Sequence, residues 1–132
     1  MTVVSITTVV YNCFMMKKIL KKNPEECIFC QVVKGQKHEE VLYVDDDFIV
    51  FKDNAPVAPV HLLIVPKVHV DNFLNLTDPY IRNALFELTQ KLISDLHLNE
   101  TEYTFGFHGG RNQTVMHVHA QLLGNMGSKL VL

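Results

Sequence analysis

Between residues 79 and 97 apolar side chains recur at Ile81, Leu85, Leu88, Leu92 and Leu96, the three-and-four spacing of one helix face. Thr77-Asp78-Pro79 stands ahead of them as a cap followed by a first-turn proline. The pattern predicts a long helix from about Pro79 to His97, the main core element. Elsewhere the apolar positions come in short runs that suit strands: Val41 to Val44, Phe48 to Lys52, His61 to Val65, Glu102 to His108 and Val115 to Leu123. Asp45-Asp46-Asp47 separates the first two runs as a turn of solvated charges. Prolines 56 and 59 make the stretch from Asp53 to Pro59 a loop. Asn23-Pro24-Glu25-Glu26 reads as a cap, a first-turn proline and acids in the first turn, so a short helix is expected to about Lys34, stopping at Gly35. The order helix, three strands, helix, two strands with short links predicts an α+β domain. In it an antiparallel five-stranded sheet carries one long and one short helix packed to one side. The domain spans residues 23–132, after an extension at 1–22 made of an apolar arm and a Lys-rich linker.

The last strand run holds the chemistry. Residues two apart on a strand share a face, so Val115, His117, His119, Gln121 and Leu123 line one side while Met116, Val118, Ala120 and Leu122 line the other. Three readings are open on this pattern alone. The histidines can be polar residues of a half-buried strand, or neutral imidazoles converging on a metal ion. Alternatively one of them is a nucleophile for phosphorus, its second nitrogen held as a donor to a fixed acceptor so that the tautomer is settled.

Charge narrows the ligands. Twelve basic against fourteen acidic residues leave a net charge of -2, which gives no electrostatic case for nucleic acid or an anionic membrane and favours small ligands. The 132 residues suit one domain. Three cysteines are an odd count, so a disulfide framework is not expected and a reducing compartment is, with the cytoplasm first and the nucleus also open. Cys27 and Cys30 form a Cys-x-x-Cys at the opening of the short helix, whereas a thioredoxin-like redox pair would follow a strand. The uncharged stretch Met1 to Met16 is shorter than the roughly 20 residues of a membrane span and lacks the basic start of a signal peptide. It reads as an added strand or loosely packed arm with Met15 or Met16 as an alternative start, and Lys17-Lys18 with Lys21-Lys22 reads as a solvated linker. No P-loop, nucleophile elbow or dinucleotide glycine pattern is present.

His117-Val118-His119-Ala120-Gln121-Leu122-Leu123 resembles the signature of the histidine triad (HIT) superfamily, in which His alternates with apolar residues and the third His is sometimes Gln. Cys27-Ile28-Phe29-Cys30, Phe51-Lys52-Asp53, the run Ala58 to Lys67 and Gln113-Thr114-Val115 fall in the same family's order. Gly106-Phe107-His108 is similar to the Hint/aprataxin-like branch. The resemblance implies a hydrolase or nucleotidyl transferase that binds a purine nucleotide conjugate and cleaves it at the α-phosphorus through a nucleotidyl-histidine. It makes His119 the nucleophile and His117 an orienting or metal-binding neighbour. It also gives Gln113 and Thr114 contact with phosphate, has Asp53 accept from the ribose hydroxyls, and puts the adjoining loop at Asn54 around the base. Asp53 also reads as a loop-capping carboxylate. By the same resemblance a structural zinc is held by Cys27, Cys30, His61 and His117. His38 is the rival ligand on proximity, and His69 also fits a family position while reading equally as a loop histidine. Gln121 donates a hydrogen bond to phosphate but cannot deliver a proton, so leaving groups that depart as stable anions are expected to be favoured over amines. A homodimer through the long helix and a strand edge is implied as well. The alternative to catalysis is a zinc-stabilised nucleotide-binding or protein-interaction module.

Overall fold

Asp78 accepts the Tyr80 amide at 2.9 Å through its side chain and Pro79 occupies the first turn, so the long helix begins where cap and proline place it. The computed structural model describes residues 26–127; the extension at 1–22, the Asn23 cap and Pro24 lie outside them. Two helices, α1 (Ile28–Val33) and α2 (Pro79–Asp95), accompany five strands: β1 (Val41–Val44), β2 (Phe48–Lys52), β3 (Val60–Pro66), β4 (Tyr103–Gly106) and β5 (Ala120–Gly124). The strands form one antiparallel sheet in the order β1-β2-β3-β5-β4. Between β1 and β2, Asp45 closes the turn by accepting the Asp47 and Phe48 amides at 2.8 and 2.7 Å and the Tyr43 hydroxyl at 2.7 Å. Burial pushes the Asp45 carboxyl up, but these donors outweigh it and hold its pKa below the ordinary value.

Each face of the sheet carries its own core. Leu85, Leu88 and Leu92 of α2 pack with Phe48, Val50, Leu62, Ile64, Val118, Ala120 and Leu122. On the opposite face Phe29, Cys30 and Val32 of α1 pack with Ile49, Phe51, Leu63 and Val65. The helices therefore do not share a side, contrary to the expectation. The apolar runs of β2 and β3 are continuous rather than alternating, the mark of strands covered on both faces. Helix α2 ends at Asp95, and His97 adopts a left-handed backbone with φ 55°, so Leu96 falls outside the core and is 38% exposed.

The last strand starts five residues later than its sequence pattern suggests. In the β3–β5 register Ile64 faces Ala120, and two residues further along it Pro66 would face Val118. Proline has no N–H for the ladder. Val118 instead donates to the Val70 carbonyl at 2.6 Å, and residues 115–119 run as irregular chain. Their alternation survives: Val118 joins the α2 core while His117 and His119 turn to the α1 side, where both rings meet Phe29 edge-on. Leu122 has no exposed surface; Leu122→Ala is expected to lower unfolding free energy by about 2–5 kcal/mol in urea titration.

Candidate active site and metal centre

Four ligand groups converge where α1 meets the end of β3. Cys27 caps α1, its sulfur accepting the Cys30 amide at 3.4 Å, which sets both sulfurs at the same end of the helix. His117 Nδ1 lies 3.5 Å from Cys27 Sγ and 3.4 Å from Cys30 Sγ. His69 Nδ1 lies 3.2 Å from Cys30 Sγ and 3.2 Å from His117 Nδ1. The four ligand atoms fall within 4.8 Å of one another and could hold a metal ion. Both rings are oriented from behind. His117 Nε2 donates to the Pro66 carbonyl at 2.7 Å, and His69 Nε2 donates to Asp71 Oδ1 at 2.9 Å. Each Nδ1 is thus a bare lone pair turned toward the sulfurs, the arrangement of metal-binding histidines with fixed tautomers.

His61 is not part of this set, which corrects the ligand expectation. It sits near the start of β3, five residues before Pro66, and a strand rises about 3.3 Å per residue, so roughly 16 Å separate it from the carbonyl that His117 meets. His38 is exposed beyond α1 and also outside the set. His69, readable as a loop histidine, takes the place. Asp71, which orients His69, was not singled out from the sequence, although its spacing of two from His69 was the available signal.

His119 is the second feature. It is 6% exposed, and its Nδ1 donates to the His117 carbonyl at 2.8 Å. No described residue bonds its Nε2, and among the described residues no buried side-chain nitrogen or oxygen lacks a partner. Phe29 stands edge-on to the ring at 5.0 Å between centroids. Burial, foremost, and the charge of His108 push the His119 pKa down, against the pull of the His117 carbonyl and Asp53. The ring is therefore a neutral imidazole with its tautomer fixed and its lone pair free.

The remaining sequence candidates divide. Gln121 is 7% exposed and bonds His61 Nε2 through Oε1 at 2.9 Å and His108 Nδ1 through Nε2 at 2.8 Å. Asp53 does two things: Oδ1 caps the loop by accepting the Ala55 amide at 2.8 Å, and Oδ2 lies 3.5 Å from His61 Nε2. Asn54 is exposed and donates to Glu39 at 3.1 Å. Gln113 is buried, its amide nitrogen donating to the Asp71 and Val115 carbonyls at 2.6 and 2.9 Å, so it braces the loop that carries the exposed Thr114. A cavity of about 300 Å³ opens beside Asp53 and His61, walled by Pro56, Pro59, Val60 and Leu96.

The family model described as "Scavenger mRNA decapping enzyme C-term binding" matches residues 26–130. Adenosine 5'-monophosphoramidase HINT3 of Danio rerio is 31% identical over 119 residues, covering 85% of this chain and 74% of the relative. The chain belongs to the histidine triad (HIT) family. A histidine triad protein from Clostridium difficile superposes with TM-score 0.74 at 30% identity, covering 84% of this chain and 98% of that one. A HIT family hydrolase from Clostridium thermocellum does so with TM-score 0.71 at 35% identity, covering 81% and 98%. The superfamily is one of nucleotide-binding proteins and hydrolases, and the five-stranded antiparallel sheet with one long helix is its fold. Among the described residues no helix is long and apolar enough to cross a membrane.

The pKa of Cys30 is raised to about 11, by burial first and by Cys27 next. A metal-free thiol held that high is a poor nucleophile, which weighs against thiol-redox chemistry in this HIT chain. Burial, foremost, lowers His117 from 6.5 to about 4. Between those values the unfolded chain binds a proton that the native ring refuses, so stability rises with pH across this window. The metal-free protein is expected to lose stability as pH falls from 7 toward 4, read as a falling urea midpoint. By plasma mass spectrometry, bound divalent metal is expected to be lost in His69→Ala and retained in His61→Ala.

Proposed function

We propose that this protein binds a purine nucleotide conjugate and cleaves it at the α-phosphorus, with His119 Nε2 as the nucleophile. The observation that carries the reading is the 2.8 Å bond from His119 Nδ1 to the His117 carbonyl, which leaves Nε2 unprotonated and free of any described partner. Attack forms an N–P bond while the bond to the leaving group breaks, and the carbonyl of His117 stabilises the imidazolium character that develops on His119. Water then attacks phosphorus, the N–P pair returns to Nε2, and the proton of the water passes to the medium. Phe29, packed edge-on against the ring, keeps the imidazole in place and limits water around it.

The other residues take roles that fit their positions. Thr114, exposed on the loop braced by Gln113, contacts phosphate. Asp53 receives the ribose hydroxyls with Oδ2 while Oδ1 keeps the loop closed. The proline-walled cavity beside it and the loop at Asn54 supply room for the base. Exposed Phe86 on α2 and Tyr103 on the edge strand β4 support a homodimer through that side.

Zinc suits the four-residue cluster. Two imidazole lone pairs facing each other at 3.2 Å beside two sulfurs form a set of acceptors that a cation reconciles. Four of the six separations, 3.2–3.5 Å, approach the edges of a zinc tetrahedron, about 3.3–3.8 Å from standard Zn–S and Zn–N lengths. Cys27, Cys30, His69 and His117 would hold it. When bound it supplies a closed structural centre that neutralises the thiolates and ties α1 to the loop bearing His69 and the segment bearing His117. The chain's own backbone then orients His119.

Intact-protein mass after brief exposure to an acyl-adenylate tests the reading: an acid-labile nucleotidyl adduct is expected in the wild type and not in His119→Ala. Nucleotide binding without adduct or turnover would select the binding-module alternative. Because Gln121 cannot deliver a proton, acyl-adenylate is expected to outpace the alkylamine phosphoramidate of the same nucleotide. Gln121→His is expected to narrow that gap, and equal response of the two substrates would remove the leaving-group preference.

A further inference from the structure

Gln113 is buried, and a glutamine amide has two N–H donors and one oxygen. Its nitrogen donates to the Asp71 carbonyl at 2.6 Å and to the Val115 carbonyl at 2.9 Å. Both neighbours are backbone oxygens, which only accept, so the amide cannot be reversed. Its two donors are thereby spent, and no N–H of this side chain is left over for a phosphate. What the amide joins is two stretches of chain that lie far apart in sequence.

Three hydrogen bonds hold the stretch after β3 against the stretch before β5. His117 Nε2 donates to the Pro66 carbonyl at 2.7 Å, the Val118 amide to the Val70 carbonyl at 2.6 Å, and Gln113 to the Asp71 carbonyl. The first two meet the part that leads to His119. Of the three, Gln113 is the one that reaches the part carrying the exposed Thr114. Asp71 is shared: its carboxylate takes the His69 Nε2 proton at 2.9 Å while its carbonyl takes Gln113. A line of contacts thus runs from His69 in the ligand cluster through Asp71 and Gln113 to the loop at Thr114. The Nδ1 lone pairs of His69 and His117 face each other at 3.2 Å, favourable with a cation between them and repulsive without one. His117 is fully buried, whereas His69 is half-buried on residues 67–72, which form neither helix nor strand. The stretch with His69 and Asp71 is therefore the side that gives way.

We propose that Gln113 is a positioning residue rather than a phosphate contact, and that it makes metal binding at the cluster and nucleotide binding at Thr114 cooperative. This rests on the readings of the cluster as a zinc centre and of Thr114 as a phosphate contact. With the cluster filled, Asp71 stays where its carbonyl receives Gln113, and the loop presents Thr114 to phosphate. With the cluster empty, His69 and Asp71 withdraw together and the Gln113 strut loses its acceptor. The two states differ in contacts at both sites, as coupling requires. The coupling is also reciprocal: the factor by which zinc tightens AMP equals the factor by which AMP tightens zinc. Adenosine, which lacks the phosphate, stays outside it.

Both affinities are measured on the full-length protein. AMP and adenosine are titrated by calorimetry into the zinc-loaded and metal-free forms, and zinc is titrated against a chromophoric chelator with and without saturating AMP. In the wild type the two routes are expected to give one factor, about 5- to 150-fold, the usual range for linked sites, with adenosine differing by no more than about twofold between forms. Gln113→Met, similar in length but unable to donate, is expected to bring the AMP affinity of the zinc-loaded protein down to that of the metal-free one. Its zinc affinity without nucleotide is expected to change by no more than about threefold, since all four ligands remain. If Gln113→Met weakens AMP equally in both forms and keeps the coupling, the proposal is overturned and Gln113 is a direct contact. A wild type that binds zinc and AMP independently overturns it as well. Wild-type NMR gives a readout that needs no variant: removing zinc without nucleotide is expected to shift the Gln113 side-chain NH2 and the Thr114 amide, and unmoved resonances overturn the strut. A wild type that binds no zinc defeats the zinc reading, and one that binds zinc but no AMP defeats the nucleotide reading, each taking the coupling with it.

Discussion

The hydrogen bond from His117 Nε2 to the Pro66 carbonyl, 2.7 Å long, is the constraint from which the rest of the site follows. Proline ends β3 without an N–H to continue the ladder, so its carbonyl and the chain opposite are released from sheet pairing together. The carbonyl turns a side chain's proton backward, which bares His117 Nδ1 toward Cys27 and Cys30. With the ring held, the His117 backbone carbonyl is held too, and it in turn takes the proton of His119 Nδ1 at 2.8 Å. The rings of His117 and His119 are therefore oriented by two backbone carbonyls, that of Pro66 at the end of β3 and that of His117 itself. Water or a flexible side chain in either place would leave the tautomers unsettled.

Helix α1 is the weak element that this arrangement recruits. Its six residues are far too few to be stable alone, since helix nucleation is unfavourable and short helices in water are marginal. It is kept by burial of Phe29, Cys30 and Val32 against β2 and β3, and by the four-ligand cluster at its N-terminal end. Phe29 does double duty, packing edge-on to Phe51 at 5.4 Å and to His119 at 5.0 Å. The wall beside His119 is thus only as firm as the helix that carries it.

A directed chain of hydrogen bonds runs along the same face from the other end of β3. Val57, His61, Gln121 and His108 alternate acceptor and donor with no freedom to reverse, because the first donor is a backbone amide. The two devices meet at β5, where His119 and Gln121 are neighbours on one face. On this face backbone carbonyls hold the ring proton of His117 on Nε2 and that of His119 on Nδ1, so residues of one type turn different nitrogens outward.

Much of this was legible from residue order. Period and caps located α2, the runs Val41–Val44 and Phe48–Lys52 are strands with those same ends, and alternation put His117, His119 and Gln121 on one face even where the ladder gives out. These features depend on neighbours a few residues apart, whose spacing is set by backbone geometry. What could not be read were choices made across the sheet: which face each helix covers, where β5 loses its partner, and why His69 rather than His61 joins the cysteines. His61 and His69 are the same residue type at similar distances along the chain from His117. Only the antiparallel register, which carries His61 to one end of β3 and leaves His69 beyond the other, separates the partner of Gln121 from the neighbour of the cysteines. The sequence by itself determined the elements and the chemical groups available. The tertiary structure decided which groups meet, because the cysteine–histidine cluster and the His61–Gln121 bond join residues 48 to 90 apart.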